Sequence, residues 1–275
     1  MNKTRFVEET REIARGVFEQ HYGSMLPRST PLNTLFSLNW EDLCDGDFGQ
    51  GDMARMNLGL DPRSCLGRSA LAVTITEKFF PEAEVKCAEV AQDMFRELLL
   101  QQWGKTYSVS NPPPDSWLEE LLMYEEPHSI VMVDGKQFDP LFCVYAQRAN
   151  CSVENLFHPG VIEFPAWEEI AAARMVSEAW LEPNPETKLE VLRAANEICP
   201  GTIVVRQNLV QPLLSTGSEE DFNEAQDTLR ALCEESPSVR KLMVLDEVFG
   251  ETHPNKHEYG DDLWPLLVSC VRRSS

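Results

Sequence analysis

The sequence predicts an α+β domain followed by an all-helical tail, and three observations carry that expectation. The first is the β-branched run from Ser129 to Val133, followed by Asp134-Gly135, the strongest short-range signal for a hairpin turn. The second is the segment from Ser64 to about Phe80, where Leu66, Ala70, Ala72, Val73 and Ile75 fit a helix packed into a core. The third is a change of character after about Phe164, beyond which helical segments alternate with short Pro, Gly or Asn breaks.

Taken in order, the elements begin with an amphipathic N-terminal helix that carries Phe6, Ile13, Val17 and Phe18 on one side. Pro27, Pro31 and a Gly/Asp-rich loop from Cys44 to Asp52 follow. The loop resembles a calcium loop only in composition, because Gln50 and Met56 stand where the EF-hand template needs Gly and Glu. It reads as a turn-rich loop. Pro62 suits the first turn of the buried helix, and Pro81 ends it. Glu82 to Val90 alternates polar and apolar residues as a strand does. A helix is expected over Ala91–Trp103, an exposed connection at Pro112, Pro113 and Pro114, and a short helix over Trp117–Tyr124.

The hairpin comes next. His128 opens one strand and Asp139 closes its partner, with Pro140 as the stop. A two-residue turn pairs Val133 with Lys136, Val131 with Phe138 and Ile130 with Asp139, which sets Asp139 diagonally beside His128. In the tail, helices are expected over Ala166–Leu181, Glu186–Ile198, Ile203–Leu214, Glu219–Cys233 and Val239–Phe249. Pro165, Pro200 and Pro237 stand 35 and 37 residues apart at helix boundaries. Two helices per period of about 34 residues suggest tetratricopeptide-like hairpins, with a generic helical bundle as the alternative. The division is expected at 1–162 and 163–275.

Composition bounds the function. The chain has 275 residues, 43% of them hydrophobic, enough to fold without disulfide or metal staples. A formal net charge of -21 repels phosphate backbones and argues against nucleic-acid binding as a main activity. Solubility is the plain reading of that charge, and an acidic docking surface for a basic partner is the alternative. No stretch approaches the roughly 20 apolar residues of a membrane span, and the charged N-terminus does not read as a secretory signal. The eight cysteines, Cys44, Cys65, Cys87, Cys143, Cys151, Cys199, Cys233 and Cys270, form no CxxC. They are expected as free thiols in a reducing, cytoplasmic setting. No clustered metal ligands, nucleotide-binding glycine loop or GxSxG occur, so the expected site uses no cofactor and no metal.

The chemistry-bearing residues are Cys65, His128 and Asp139. A thiol attacks as thiolate, which a helix N-terminus and a neighbouring histidine both favour. Cys65 is expected in the first turn of the buried helix, and His128 at the start of a strand. Asp139 is placed to fix the imidazole tautomer and stabilise the imidazolium. Backbone N–H groups at the helix start are the expected oxyanion donors. Trp40 and Gln50 lie upstream as side-chain candidates that nothing in the sequence ties to the site. Each residue also has an ordinary reading. A lone Cys among eight is more often a core thiol, a strand-edge His is more often structural, and Asp before Pro is a common turn former. Of the remaining histidines, His21 and His257 fall in loops or at helix ends, and His158 in FHPG and His253 in THPN read as turn residues.

The order of these parts resembles the transglutaminase-like superfamily, whose core has a papain-like arrangement. Ser64-Cys65-Leu66-Gly67-Arg68-Ser69-Ala70-Leu71-Ala72 resembles its nucleophile helix, and His128 through Asp139-Pro140 resembles its hairpin. The likeness spans roughly residues 30 to 145. It implies that Cys65 is nucleophile, His128 base and Asp139 orienting acid in a cysteine-dependent amide hydrolase or acyl-transfer enzyme acting on peptide or isopeptide substrates. A transglutaminase-like domain followed by tetratricopeptide-like helices is similar to the plan of bacterial invasion-regulator-like proteins. Members of that group often lack the nucleophile, which implies the alternative of a non-catalytic scaffold binding protein partners through its helices.

Overall fold

The protein was analysed as a computed structural model, which describes residues 2–22, 25–45, 60–61, 64–90, 128–148, 158, 160–216 and 218–235. Among these it is a mixed helical and antiparallel-sheet structure, α+β as expected. The expected helices at Ala91–Trp103, Trp117–Tyr124 and Val239–Phe249, the proline run, and most of the Cys44–Asp52 loop lie outside the described residues.

The elements, in chain order, begin with α1 (Lys3–Tyr22), α2 (Pro31–Phe36), α3 (Trp40–Asp45) and α4 (Cys65–Phe79). Strands β1 (Val85–Val90), β2 (His128–Val133) and β3 (Lys136–Phe138) follow, then α5 (Pro140–Arg148) and β4 (Ile162–Pro165). The last are α6 (Ala166–Leu181), α7 (Pro185–Ile198), α8 (Ile203–Ser215) and α9 (Glu219–Glu235). The strands form one antiparallel sheet in the order β3-β2-β1-β4.

The hairpin forms where Asp134-Gly135 places it. Both residues have positive φ, 50° and 71°, the geometry that makes a two-residue turn match strand twist. The turn is tied to β1, since Asp134 N–H donates to the Glu84 carbonyl and Glu84 N–H to Asp134 Oδ1. The register pairs Val133 with Lys136 and Val131 with Phe138, as the turn length demands. The expected Ile130–Asp139 pair does not form, because β3 ends at Phe138. Asp139 leaves the ladder to cap α5: its Oδ1 accepts the Phe142 N–H at 2.9 Å and its carbonyl the Cys143 N–H at 3.1 Å. An Asp before Pro at the first helical position is a helix-start signature that the sequence itself carries. Strand β4 was not anticipated either. It is four residues long, pairs with β1, and spans positions 162 and 163.

Helix α4 is the centre of the main core. Ser64 caps it, accepting the Gly67 N–H on its Oγ. Residues 67 to 76 are all buried, so the helix is enclosed on every side. Leu71, Val73 and Ile75 pack with Val131 and Val133 of the sheet, with Val17 and Phe18 of α1, and with Trp167 and Ile170 of α6. A second core joins α6 to α9 through residues including Met175, Leu192, Val205 and Leu213. Helix α6 contributes to both cores. Glu77 of α4 ties the elements further, accepting two bonds from Arg11 of α1 and the Trp167 indole N–H of α6. Among the described residues no helix is long and apolar enough to cross a membrane.

One polar cluster lies inside this packing. Glu89 of β1 accepts the Ile203 N–H and the Val204 N–H, capping α8 from the sheet. Glu169 of α6 accepts the Ser129 hydroxyl on Oε1 at 2.9 Å, and its Oε2 has no hydrogen-bond partner. Burial raises Glu89 to about 8, with the nearby Glu169 charge adding to the rise. Burial likewise raises Glu169 to about 7. A carboxyl raised in the folded state holds its proton more tightly than in the unfolded chain. Its stabilisation is therefore complete below about pH 4.5 and is lost as pH rises through about 7 to 8. Thermal melts of Glu169→Gln should show the variant gaining on the native chain by ~2 kcal/mol at pH 8.5, with the gain vanishing near pH 5. Equal differences at both pH values would show that Glu169 does not titrate in the fold.

Candidate active site

Three separate segments bring Cys65, His128 and Asp139 together. Cys65 is the first residue of α4 and is partly exposed. His128 is the first residue of β2, opposite Val90, and Asp139 caps α5. Two bonds hold β2 against its neighbours at this point. Ser69 Oγ of α4 donates to the Ser129 carbonyl, and Ser129 Oγ donates to Glu169 of α6. The residue after His128 is thus pinned between the two helices, which fixes where the imidazole starts.

His128 Nε2 lies 2.8 Å from Asp139 Oδ2, and both side chains are buried. An ionised carboxylate only accepts, so Nε2 carries the hydrogen in this bond. Nδ1 is then the ring nitrogen left to serve the Cys65 thiol, which is close enough to help hold the ring charged. Burial opposes charge on the ring. The Asp139 charge, the bond to it and the Cys65 thiol outweigh burial and raise His128 to about 10. Burial also opposes charge on Asp139, but the two histidines beside it hold its carboxyl well below the usual range.

The second of those histidines is His158, expected in a turn and found buried against Asp139. Its side chain is fully buried and its Nε2 lies 3.0 Å from the same Asp139 Oδ2. The two rings stand edge to face with centroids 6.1 Å apart. No sequence signal marks this role, because a histidine in a Pro-Gly turn carries no periodicity to declare burial. Trp40, a side-chain candidate for the oxyanion site, is turned into the core instead. It is buried against Phe138, and its indole N–H donates to the Leu35 carbonyl at 2.8 Å. That hydrogen is committed to the fold and is no oxyanion donor. Gln50 lies outside the described residues.

Among the described residues no group of three or more His, Cys, Asp or Glu side chains is arranged to hold a metal ion. An open groove of about 1390 Å³ runs between the Arg28–Ser37 segment and the hairpin. His158 contributes to its lining, but Cys65, His128 and Asp139 do not. The other described thiols sit in different surroundings. Burial pushes Cys199 up to about 12 and raises Cys87 and Cys143 well above the ordinary thiol range.

Asp139 is needed both as the ring's partner and as a helix cap. Removing it leaves a buried imidazolium unpaired. Asp139→Ala should therefore lose about 3–5 kcal/mol in chemical denaturation near neutral pH. The stabilisation from the pair is present above about pH 4 and is lost on acidification, because the Asp139 carboxyl is lowered in the fold. It is also lost as pH rises through about 10, because His128 is raised. A loss under 1 kcal/mol at pH 7 would mean that the bond carries no weight.

Comparison with protein-family models, with characterised proteins and with solved structures returns no match to this chain.

Proposed function

We propose that the chain is a cysteine-dependent amide hydrolase or acyl-transfer enzyme of the transglutaminase-like kind, acting on a peptide or isopeptide substrate in the cytoplasm. The observation that supports this most is the continuous path from the Cys65 thiol through the His128 ring to the Asp139 carboxylate. Two further facts favour it. Cys65 is the partly exposed member of the three, and it stands at the capped N-terminus of a fifteen-residue helix. On this reading α4, the sheet and the hairpin form a papain-like core, and the helices from α6 onward form tetratricopeptide-like pairs. The sequential packing of α6 on α7, α7 on α8 and α8 on α9 agrees with such pairs.

The chemistry follows from the residues. The thiol proton rests on His128 Nδ1, and the Cys65 sulfur attacks the substrate carbonyl carbon as thiolate. The oxygen that becomes negative is held by backbone N–H groups at the start of α4, where the dipole favours negative charge. His128 then returns the proton to the departing amine as the carbon–nitrogen bond breaks, leaving a thioester on Cys65. Water or a second amine attacks that thioester, His128 accepts its proton, and the Cys65 thiolate departs. The products are an acid or a new amide. Asp139 keeps Nε2–H in place and balances the charged ring throughout.

A second reading is a protein-interaction scaffold with this fold. It draws on Trp180 and Leu181 at the end of α6, whose exposures of 66% and 73% are unusual for large apolar residues.

Two measurements separate the readings. At pH 7, iodoacetamide should modify Cys65 ahead of the other seven cysteines, and His128→Ala should slow that modification by roughly 100-fold. Activated esters and peptide amides should leave a mass-detectable acyl group on Cys65 that hydroxylamine removes and Cys65→Ser abolishes. Uniform slow labelling with no adduct would sink the enzyme reading.

A further inference from the structure

We infer that His158 is a positioning residue for the site, holding the Asp139 carboxylate from behind so that its bond to His128 has one geometry. The inference rests on the nucleophile–base reading of Cys65 and His128. Its structural part stands without that reading.

The acceptor atoms of Asp139 are all engaged. Oδ1 takes the Phe142 N–H, and Oδ2 takes one N–H from each of two histidines, at 2.8 and 3.0 Å. With three donors converging on one buried carboxylate, the plane of the group is fixed. Without His158, Oδ2 is constrained by His128 alone, and the carboxylate can pivot about the Oδ1 bond that caps α5. A ring oriented by a pivoting partner is itself loosely oriented, and small errors in donor placement are costly at a reacting centre.

The surroundings of His158 are those of a fixed support. Gln137, two residues before Asp139, grips the His158 backbone at both ends. Its Nε2 donates to the His158 carbonyl at 2.8 Å, and its Oε1 accepts the His158 N–H. The hairpin arm that ends in Asp139 therefore also holds the backbone of the residue that braces Asp139. Two positions later Gly160 has φ of 72°, a conformation that L side chains rarely adopt, and the chain then enters β4. His158 is thus tied to the hairpin on one side and to the sheet on the other.

An ionised Asp139 can only accept, so the orientation requires the His158 proton to reside on Nε2. Nitrogen-15 shifts in the native chain test this directly. A protonated, exchange-protected Nε2 is the expected result, and a His158 ring with bare Nε2 overturns the inference. Two variants carry the test to function. His158→Phe keeps a ring and removes the donor, and His158→Gln keeps an amide donor. With His158→Phe, the downfield His128 Nε2–H proton resonance should move and exchange faster with water. Iodoacetamide modification of Cys65 should slow on the order of tenfold, the scale on which outer partners of functional histidines act. His158→Gln should recover most of that rate. A folded His158→Phe variant with an unchanged His128 resonance and native labelling would overturn the inference. If native Cys65 labels no faster than the other thiols, the nucleophile reading fails, and the two nitrogen and proton signatures alone decide the role of His158.

Discussion

The Asp139 carboxylate is a fully buried anion, and burying an anion is costly unless donors surround it. Here they do. One oxygen completes the first turn of α5 through Phe142, and the other receives the two histidines. Helix start, hairpin end and site geometry therefore share one side chain. The arrangement also explains why His128 stays charged despite burial, since the nearest large field is that of Asp139.

The rest of the fold works to keep that carboxylate and the Cys65 thiol at fixed separation. Helix α4 is enclosed by the sheet, α1 and α6, so its N-terminus cannot shift without disturbing the whole main core. Ser69 and Ser129 tie α4 to β2 within one residue of His128, and Glu169 extends the tie to α6. The last of these ties is expensive. A carboxyl in that interior is raised to about 7, and Glu89 nearby to about 8. The packing that positions His128 thus places a pair of reluctant acids beneath it, and the two sites set opposite pH limits. The Asp139–His128 pair favours neutral conditions over acid, while the glutamates favour acid over alkaline conditions.

Helix α6 links the site to the helical segment. Its N-terminal half contributes Trp167 and Ile170 to the main core, and its later residues Met175 and Val176 join the second. The same helix ends in exposed Trp180 and Leu181.

The sequence by itself determined the hairpin, the buried helix and the helices from Ala166 onward, and did not mark α2, α3, α5 or β4. Asp134-Gly135 fixed the hairpin and the Val131–Phe138 register, because a two-residue turn leaves no freedom in the pairing. The apolar spacing marked α4, whose start the structure sets at Cys65 behind the Ser64 cap, and helical patterning marked α6 from Ala166 to Leu181. The proximity of His128 and Asp139 was legible too, although Asp139 reaches the ring from the start of α5 and not from the β3 ladder. Tertiary structure decided what depends on distant segments. It alone turned the Trp40 indole into the fold, brought Glu89 under α8, added β4 to the sheet, and set His158 against Asp139 from nineteen residues away. Three of the four are polar or pairing demands met by a group far along the chain, which residue spacing does not encode, while the Trp40 indole bonds to nearby Leu35 and is turned inward by packing on the distant Phe138. The arrival of Cys65 at His128 belongs with these, because packing of α4 against β2 brings them together.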